Sequence, residues 1–169
     1  RLMVAQGDLG KTEIHTLLSE CMSDLHLVAD TLGSQHQTLA LALADLRFRT
    51  DRRTAELPIQ WHWDVALEHL PAVSERSMLQ ILRVVQESIN NALKHAQAQQ
   101  IHIAARFDRV QQQLRISITD DGVGMPEGVA AGRGLHNMRQ RARELGAQLH
   151  WLPQPQGTQV LLVWTPARA

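Results

Sequence analysis

The order of apolar periodicities between Pro58 and Trp164 constrains the fold more than any other feature of the chain. Ile59 to Trp63, Ile101 to Phe107, Leu114 to Thr119, Gln148 to Leu152 and Thr158 to Trp164 alternate apolar with other residues, the period of a strand. Ser77 to Ala96 and Gly134 to Leu145 instead repeat near 3.6 residues, and Gly146 is a natural helix stop. Strands therefore come in runs, with only two long helices between them. That order predicts an α+β two-layer sandwich rather than a doubly wound parallel sheet, in which every strand would alternate with a helix. With 44% apolar residues in 169, such a layer pair can be filled.

The segment before Pro58 differs. Ile14, Leu18, Cys21, Leu25, Val28 and Leu32 repeat at alternating spacings of three and four, a heptad-like seam suited to packing along another helix. Gly33-Ser34 interrupts it, and a second helical stretch carries Leu39, Leu43 and Leu46. The seam fits a dimer contact or a local hairpin. The expected organisation is a helical region over residues 1–54 and a second domain over residues 56–169.

Charge and cysteine usage narrow the function classes. Lys+Arg and Asp+Glu are both 17, which argues against a dedicated nucleic-acid binder and for no direct nucleic-acid contact. The single Cys21 leaves no intrachain disulfide and fits a reducing compartment. No apolar run reaches membrane-spanning length and no signal-peptide pattern occurs. The chain opens on Arg1, so the expectation is a fragment with further sequence, and any membrane segment, upstream.

Four elements carry candidate chemistry. On the longer helix, Leu82, Val85, Ile89, Leu93 and Ala96 share one face, while Glu87, Asn91 and Lys94 gather on the opposite one, with Asn90 and His95 at its margins. A carboxylate and an amide oxygen can hold Mg²⁺ directly or through its waters, and a lysine one turn away can meet phosphate; the same face would also suit plain solvation. Next, a strand runs into Asp120-Asp121-Gly122-Val123-Gly124. A carboxylate at a strand end can accept a hydrogen bond from an exocyclic amine such as adenine N6, and glycines allow close approach; an ordinary Asp-Gly turn has the same sequence. Third, Gly132-Arg133-Gly134-Leu135 opens a helix, whose free N–H groups and dipole favour anions, or serves as a flexible glycine cap. Last, Gln156-Gly157-Thr158 turns into the final strand, either as a hairpin or with its hydroxyl near a phosphate.

In combination these elements resemble the GHKL nucleotide-binding superfamily, which comprises gyrase-type ATPases, heat-shock chaperones, histidine kinases and mismatch-repair ATPases. The resemblance covers roughly residues 56–166. Glu87-Ser88-Ile89-Asn90-Asn91-Ala92-Leu93-Lys94-His95-Ala96 resembles the N box of nitrate-sensor-type histidine kinases, and Gly134-Leu135-His136-Asn137-Met138-Arg139-Gln140-Arg141 is similar to their second glycine box. The resemblance implies the Bergerat fold, a mixed sheet with helices on one face, and ATP with Mg²⁺ as ligands. It implies that Asn91 ligates the metal and that Glu87 supports its waters or polarises the reacting group. Lys94 and His95 would approach the phosphates. Asp120 would recognise adenine, with Gly122 and Gly124 shaping its pocket. Gly132, Arg133, Gly134 and Leu135 would flank the phosphates, Thr158 would sit near them or near adenine, and Met125 would begin a short lid running to Ala131.

The same resemblance implies a protein histidine kinase that phosphorylates a histidine on an upstream helix, for transfer to a response regulator with a DNA-binding output domain. It further implies a homodimer through the helical region and a cytoplasmic domain whose intact protein is anchored in the inner membrane. The family's acceptor lies in a His-Asp or His-Glu pair, yet none of the nine histidines precedes an acidic residue; His15, His26 and His36 precede Thr16, Leu27 and Gln37. This chain is therefore expected to bind ATP without phosphorylating itself. Two other readings use the same residues: an ATP-hydrolysing switch with Glu87 activating water, and a binding-only nucleotide-sensing module.

Overall fold

A computed structural model describes residues 38–124 and 133–167. All of them fall in one compact unit, Gln37–Ala169. The heptad-like seam and the stretch from Met125 to Gly132, including the expected lid, lie outside the described residues.

Helix α1, Leu39–Arg53, is capped by Thr38, whose hydroxyl accepts the Leu41 N–H. It buries Leu39, Ala42, Leu43, Leu46 and Thr50. The helix falls inside the compact unit that begins at Gln37. Its last turn is tied down by hydroxyls: Thr50 donates to the Leu46 carbonyl and Thr54 to the Thr50 carbonyl, both at 2.8 Å. Strand β1, Gln60–Ala66, follows, and its Trp61 indole N–H donates to the Thr54 hydroxyl at 3.0 Å.

Helix α2, Glu75–Asn91, starts two residues earlier than the apolar pattern suggests, because Ser74 caps it by accepting from the Ser77 N–H. It runs directly into a π-helical turn, Ala92–Ala96, which ends at Gln97 in the left-handed region with φ 52°. On this turn Ala92 and Ala96 are buried and Leu93 is only half-buried.

Strands β2, Gln100–Asp108, and β3, Gln113–Asp120, form a hairpin; then come helix α3, Arg133–Leu145, and strands β4, Gln148–Pro153, and β5, Thr158–Trp164. The five strands form one mixed sheet in the order β1-β2-β3-β5-β4. β1 runs parallel to β2 and the remaining pairs are antiparallel. Register places Ile103 opposite Ile118 and Ile118 opposite Val160, so apolar positions of adjacent strands share a face. On that face Ile101, Ile103, Ala105, Leu114, Ile116, Ile118, Leu162 and Trp164 are buried, together with Met78, Ile81, Leu82, Val84, Val85 and Ile89 of α2 and Met138 and Ala142 of α3. The opposite face carries the exposed His62, His102, Arg106, Arg115 and His150. This is the expected α+β two-layer sandwich with helices on one face. α2 and α3 pack at Ser88, which is buried, donates to the Val84 carbonyl at 2.8 Å and touches the Met138 sulfur at 3.4 Å.

Candidate nucleotide site

The layer arrangement brings the end of β3, the turn before β5 and the end of α2 together. Asp120, half-buried as the last residue of β3, uses Oδ1 to accept the Gly122 N–H at 3.0 Å and the Thr158 N–H at 3.3 Å. Among the described residues no partner reaches its Oδ2. Burial pushes the Asp120 carboxyl above its ordinary value, and the neighbouring Asp121 charge pushes the same way; the N–H bonds from Gly122 and Thr158 pull it back. The adjacent Asp121 does something else. Its Oδ1 accepts the Gln99 and Gln100 N–H groups at 2.8 and 2.9 Å, closing the backbone where the π turn gives way to β2. Two adjacent carboxylates thus divide into one that is consumed by backbone and one that keeps an oxygen for something else.

The backbone around Asp120 has almost no spare room. A Cβ at Gly122 would lie 2.0 Å from the Ala96 carbonyl oxygen, and one at Gly157 would lie 1.9 Å from the Asp120 carbonyl oxygen and 2.7 Å from its Oδ1. Gly157 also has φ +84°, a conformation that L side chains rarely adopt. The Val123 N–H donates to the Ala96 carbonyl at 2.8 Å, which fastens the turn to the end of the π segment. Gly124 has φ +77°, and a Cβ there would lie 3.4 Å from the Gly157 carbonyl oxygen; Thr158 is buried. Sequence reasoning grouped Asp120, Gly122, Gly124 and Thr158. It missed Gly157 as the residue that shapes the Asp120 side of the cluster, although a glycine before Thr158 was the available signal.

A second cluster forms where α3 meets α2. A Cβ at Gly134 would lie 2.1 Å from the Glu87 Oε1 and 3.7 Å from the Asn91 Oδ1. A carboxylate oxygen and a carboxamide oxygen therefore converge on one point beside the first turn of α3. Arg133 is exposed and Leu135 half-buried in that turn. Lys94 and His95 are exposed on the π turn between the two clusters. Met125 and Gly132 lie outside the described residues.

An oxygen pair of this kind suits Mg²⁺, which takes one or two protein oxygens and completes its octahedron with water and phosphate. No group of three or more His, Cys, Asp or Glu side chains able to hold a metal occurs among the described residues. No helix among them is long and apolar enough to cross a membrane.

Comparison with known proteins places the chain in a family. Residues 77–169, more than half of the chain, match the family described as histidine kinase-, DNA gyrase B-, and HSP90-like ATPase. The sensor protein NarQ homolog of Haemophilus influenzae is 38% identical over 92 residues, 53% of this chain and 16% of the relative. The nitrate/nitrite sensor protein NarX of Escherichia coli is 26% identical over 171 residues, 96% of this chain and 28% of that protein. This chain thus spans under a third of the length of either relative. Among solved structures, the histidine kinase domain of the Erythrobacter litoralis blue-light activated histidine kinase superposes with a TM-score of 0.73 at 21% identity, over 87% of this chain and 73% of that one. The chain belongs to the histidine kinase-, DNA gyrase B-, and HSP90-like ATPase family, as an ATP-binding catalytic domain of the sensor histidine kinase type.

Proposed function

We propose that the two clusters hold the two ends of one Mg·ATP molecule and that, in the intact protein, the γ-phosphoryl group passes to a histidine on an upstream helix. The observation that carries this reading is the convergence of Glu87 and Asn91 oxygens beside Gly134, at a helix start whose N–H groups and dipole favour phosphate.

The free Oδ2 of Asp120 accepts a hydrogen bond from adenine N6. Gly122, Gly124 and Gly157 let the turns close tightly around Asp120 and so shape the pocket for the base. Asn91 and Glu87 would supply the oxygens for Mg²⁺, which when bound would neutralise phosphate charge. Lys94 and His95 stand one turn further along, where a cation meets phosphate; Arg133, Gly134 and Leu135 offer the start of α3 to the same group. Thr158 contributes its backbone N–H to hold Asp120 and stands beside the base. Catalysis of this kind is positioning and charge neutralisation, so the chain's part is to fix the phosphates relative to an acceptor imidazole.

The partners that follow from this reading are an upstream acceptor helix, present in the intact homodimer, and a response regulator that receives the phosphoryl group. The division into a helical region over residues 1–54 and a catalytic domain over residues 56–169, and an inner-membrane anchor in the intact protein, belong to the same reading. The test has two parts. Calorimetry with Mg·ATP should show binding that Asp120→Asn and Asn91→Ala each weaken. Incubation with γ-labelled ATP should leave this chain unlabelled and label a longer protein carrying the His-acid acceptor helix. Binding that is indifferent to both substitutions rejects the site, and acid-labile, base-stable label on this chain alone rejects the assigned acceptor.

A further inference from the structure

A hydrogen bond joins the end of α1 to the end of α2. Arg53, the last residue of α1, donates from Nη2 to the Asn90 Oδ1 at 2.9 Å. The sequence places Asn90 only at the margin of the polar face and gives Arg53 no role. Asn90 shares a peptide bond with Asn91, and the α-to-π transition begins immediately after that pair. A π turn is rarer than an α turn and occurs mostly as a single turn inside an α-helix, so what anchors its two ends matters. At the far end the anchor is the Val123 N–H on the Ala96 carbonyl, with Gly122 packed against it. At the near end it is Arg53.

Arg53 is itself held. Thr54, next in sequence, is buried, receives the Trp61 indole N–H and donates to Thr50. The last turn of α1 is therefore fixed to the first strand of the sheet, and its guanidinium extends from that fixed turn to the end of α2. The other arginine of the turn, Arg52, lies over the Phe48 ring at 5.7 Å. Arg47 pairs with Asp51 on the same helix.

We infer that Arg53 is a positioning residue for the metal–phosphate half of the nucleotide site, acting through Asn90 to set the Asn91 carboxamide. This rests on the proposed role of Asn91. It makes α1 more than a lead-in: displacement of its last turn removes the brace and loosens the metal side while leaving the Asp120 side, anchored by β3 and β5, as it was.

The experiment is calorimetry on the full chain with ADP in the presence of Mg²⁺ and with ADP in EDTA. The ratio of the two affinities isolates the metal side. Arg53→Ala and Asn90→Ala should each reduce the Mg²⁺-dependent gain by about 3- to 10-fold, the effect of one hydrogen bond, with the EDTA affinity unchanged. The double variant should lose no more than either single one, because both remove the same contact. Arg47→Ala, on the same helix, should keep the full gain. Arg53→Ala with a wild-type gain overturns the inference. So does an equal loss of affinity with and without Mg²⁺, the mark of general loosening, or an additive double variant. A wild-type chain without any Mg²⁺-dependent gain overturns the site reading and this inference with it.

Discussion

Gly134 lies directly against Glu87: a Cβ on residue 134 would fall 2.1 Å from the Glu87 Oε1. The obstacle is the far end of a flexible side chain, not backbone, so Gly134→Ala displaces a carboxylate without breaking the fold. Residue 134 lies in the first turn of α3, where alanine is at least as good a helix former as glycine. The expected result is a melting temperature that holds or rises while Mg·ATP affinity and phosphotransfer fall. A variant that melts earlier and binds normally would contradict this placement of Glu87.

Gly122 and Gly157 face the opposite situation, since each added Cβ would meet a backbone carbonyl oxygen at 2.0 and 1.9 Å. Backbone cannot step aside cheaply. At Gly157 the positive φ adds a strain of roughly 1–3 kcal/mol for any other residue. Gly122→Ala and Gly157→Ala should lower the melting temperature and lose nucleotide binding together. Thermal melts that coincide with the wild type would show that the turn yields more easily than its contacts imply.

Asp120 and Asp121 are neighbours with separable effects. Asp121 holds the Gln99 and Gln100 N–H groups, so Asp121→Ala strands two donors and should cost stability by about 1–3 kcal/mol. In material that remains folded, ATP affinity should stay near that of the wild type. Asp120→Asn should do the reverse. The fold is kept, and loss of one charged hydrogen bond to the base weakens binding by roughly 10- to 100-fold. Urea melts and calorimetry on both variants separate the two roles; equal effects on affinity would refute the division.

The sheet and its two packed helices were legible because burial imposes a period, and β2, β3 and β5 each bury alternate residues along one face. The fold class follows from the order of those periods. The site was legible where special backbone was needed, as at Asp120 and Gly122. It was not legible where a contact joins parts distant in sequence. Nothing local in Asp-Arg-Arg-Thr reveals that Arg53 reaches Asn90, or which of two adjacent aspartates the Gln99 and Gln100 N–H groups select. The π turn was hidden for another reason. Ala92 to Ala96 reads as an acceptable continuation of α2, and Ala92 and Ala96 are buried where an α-helical pitch would also put them, so the apolar pattern carries no mark of the π turn.

The last prediction concerns pH. Burial holds the Asp120 carboxyl above its ordinary value in the folded chain, so the folded chain retains a proton there that an unfolded chain has already released. Between those two values the folded state binds more protons, and this group's contribution to stability therefore falls as pH rises through the window. Nucleotide binding runs the other way. In the proposed site the ionised carboxylate would accept a hydrogen bond from adenine N6, whereas the protonated acid would present a donor and lack the charge that strengthens the contact. Affinity should therefore rise with pH across the same window, and ATP binding should release protons there, because a bound donor draws the carboxyl back down. Calorimetry in buffers of different ionisation enthalpy measures that release directly. Asp120→Asn should abolish both the pH step in affinity and the associated proton release. A wild-type affinity that is flat through the carboxylate range, or a pH step that persists in Asp120→Asn, would remove Asp120 as the titrating group at the base.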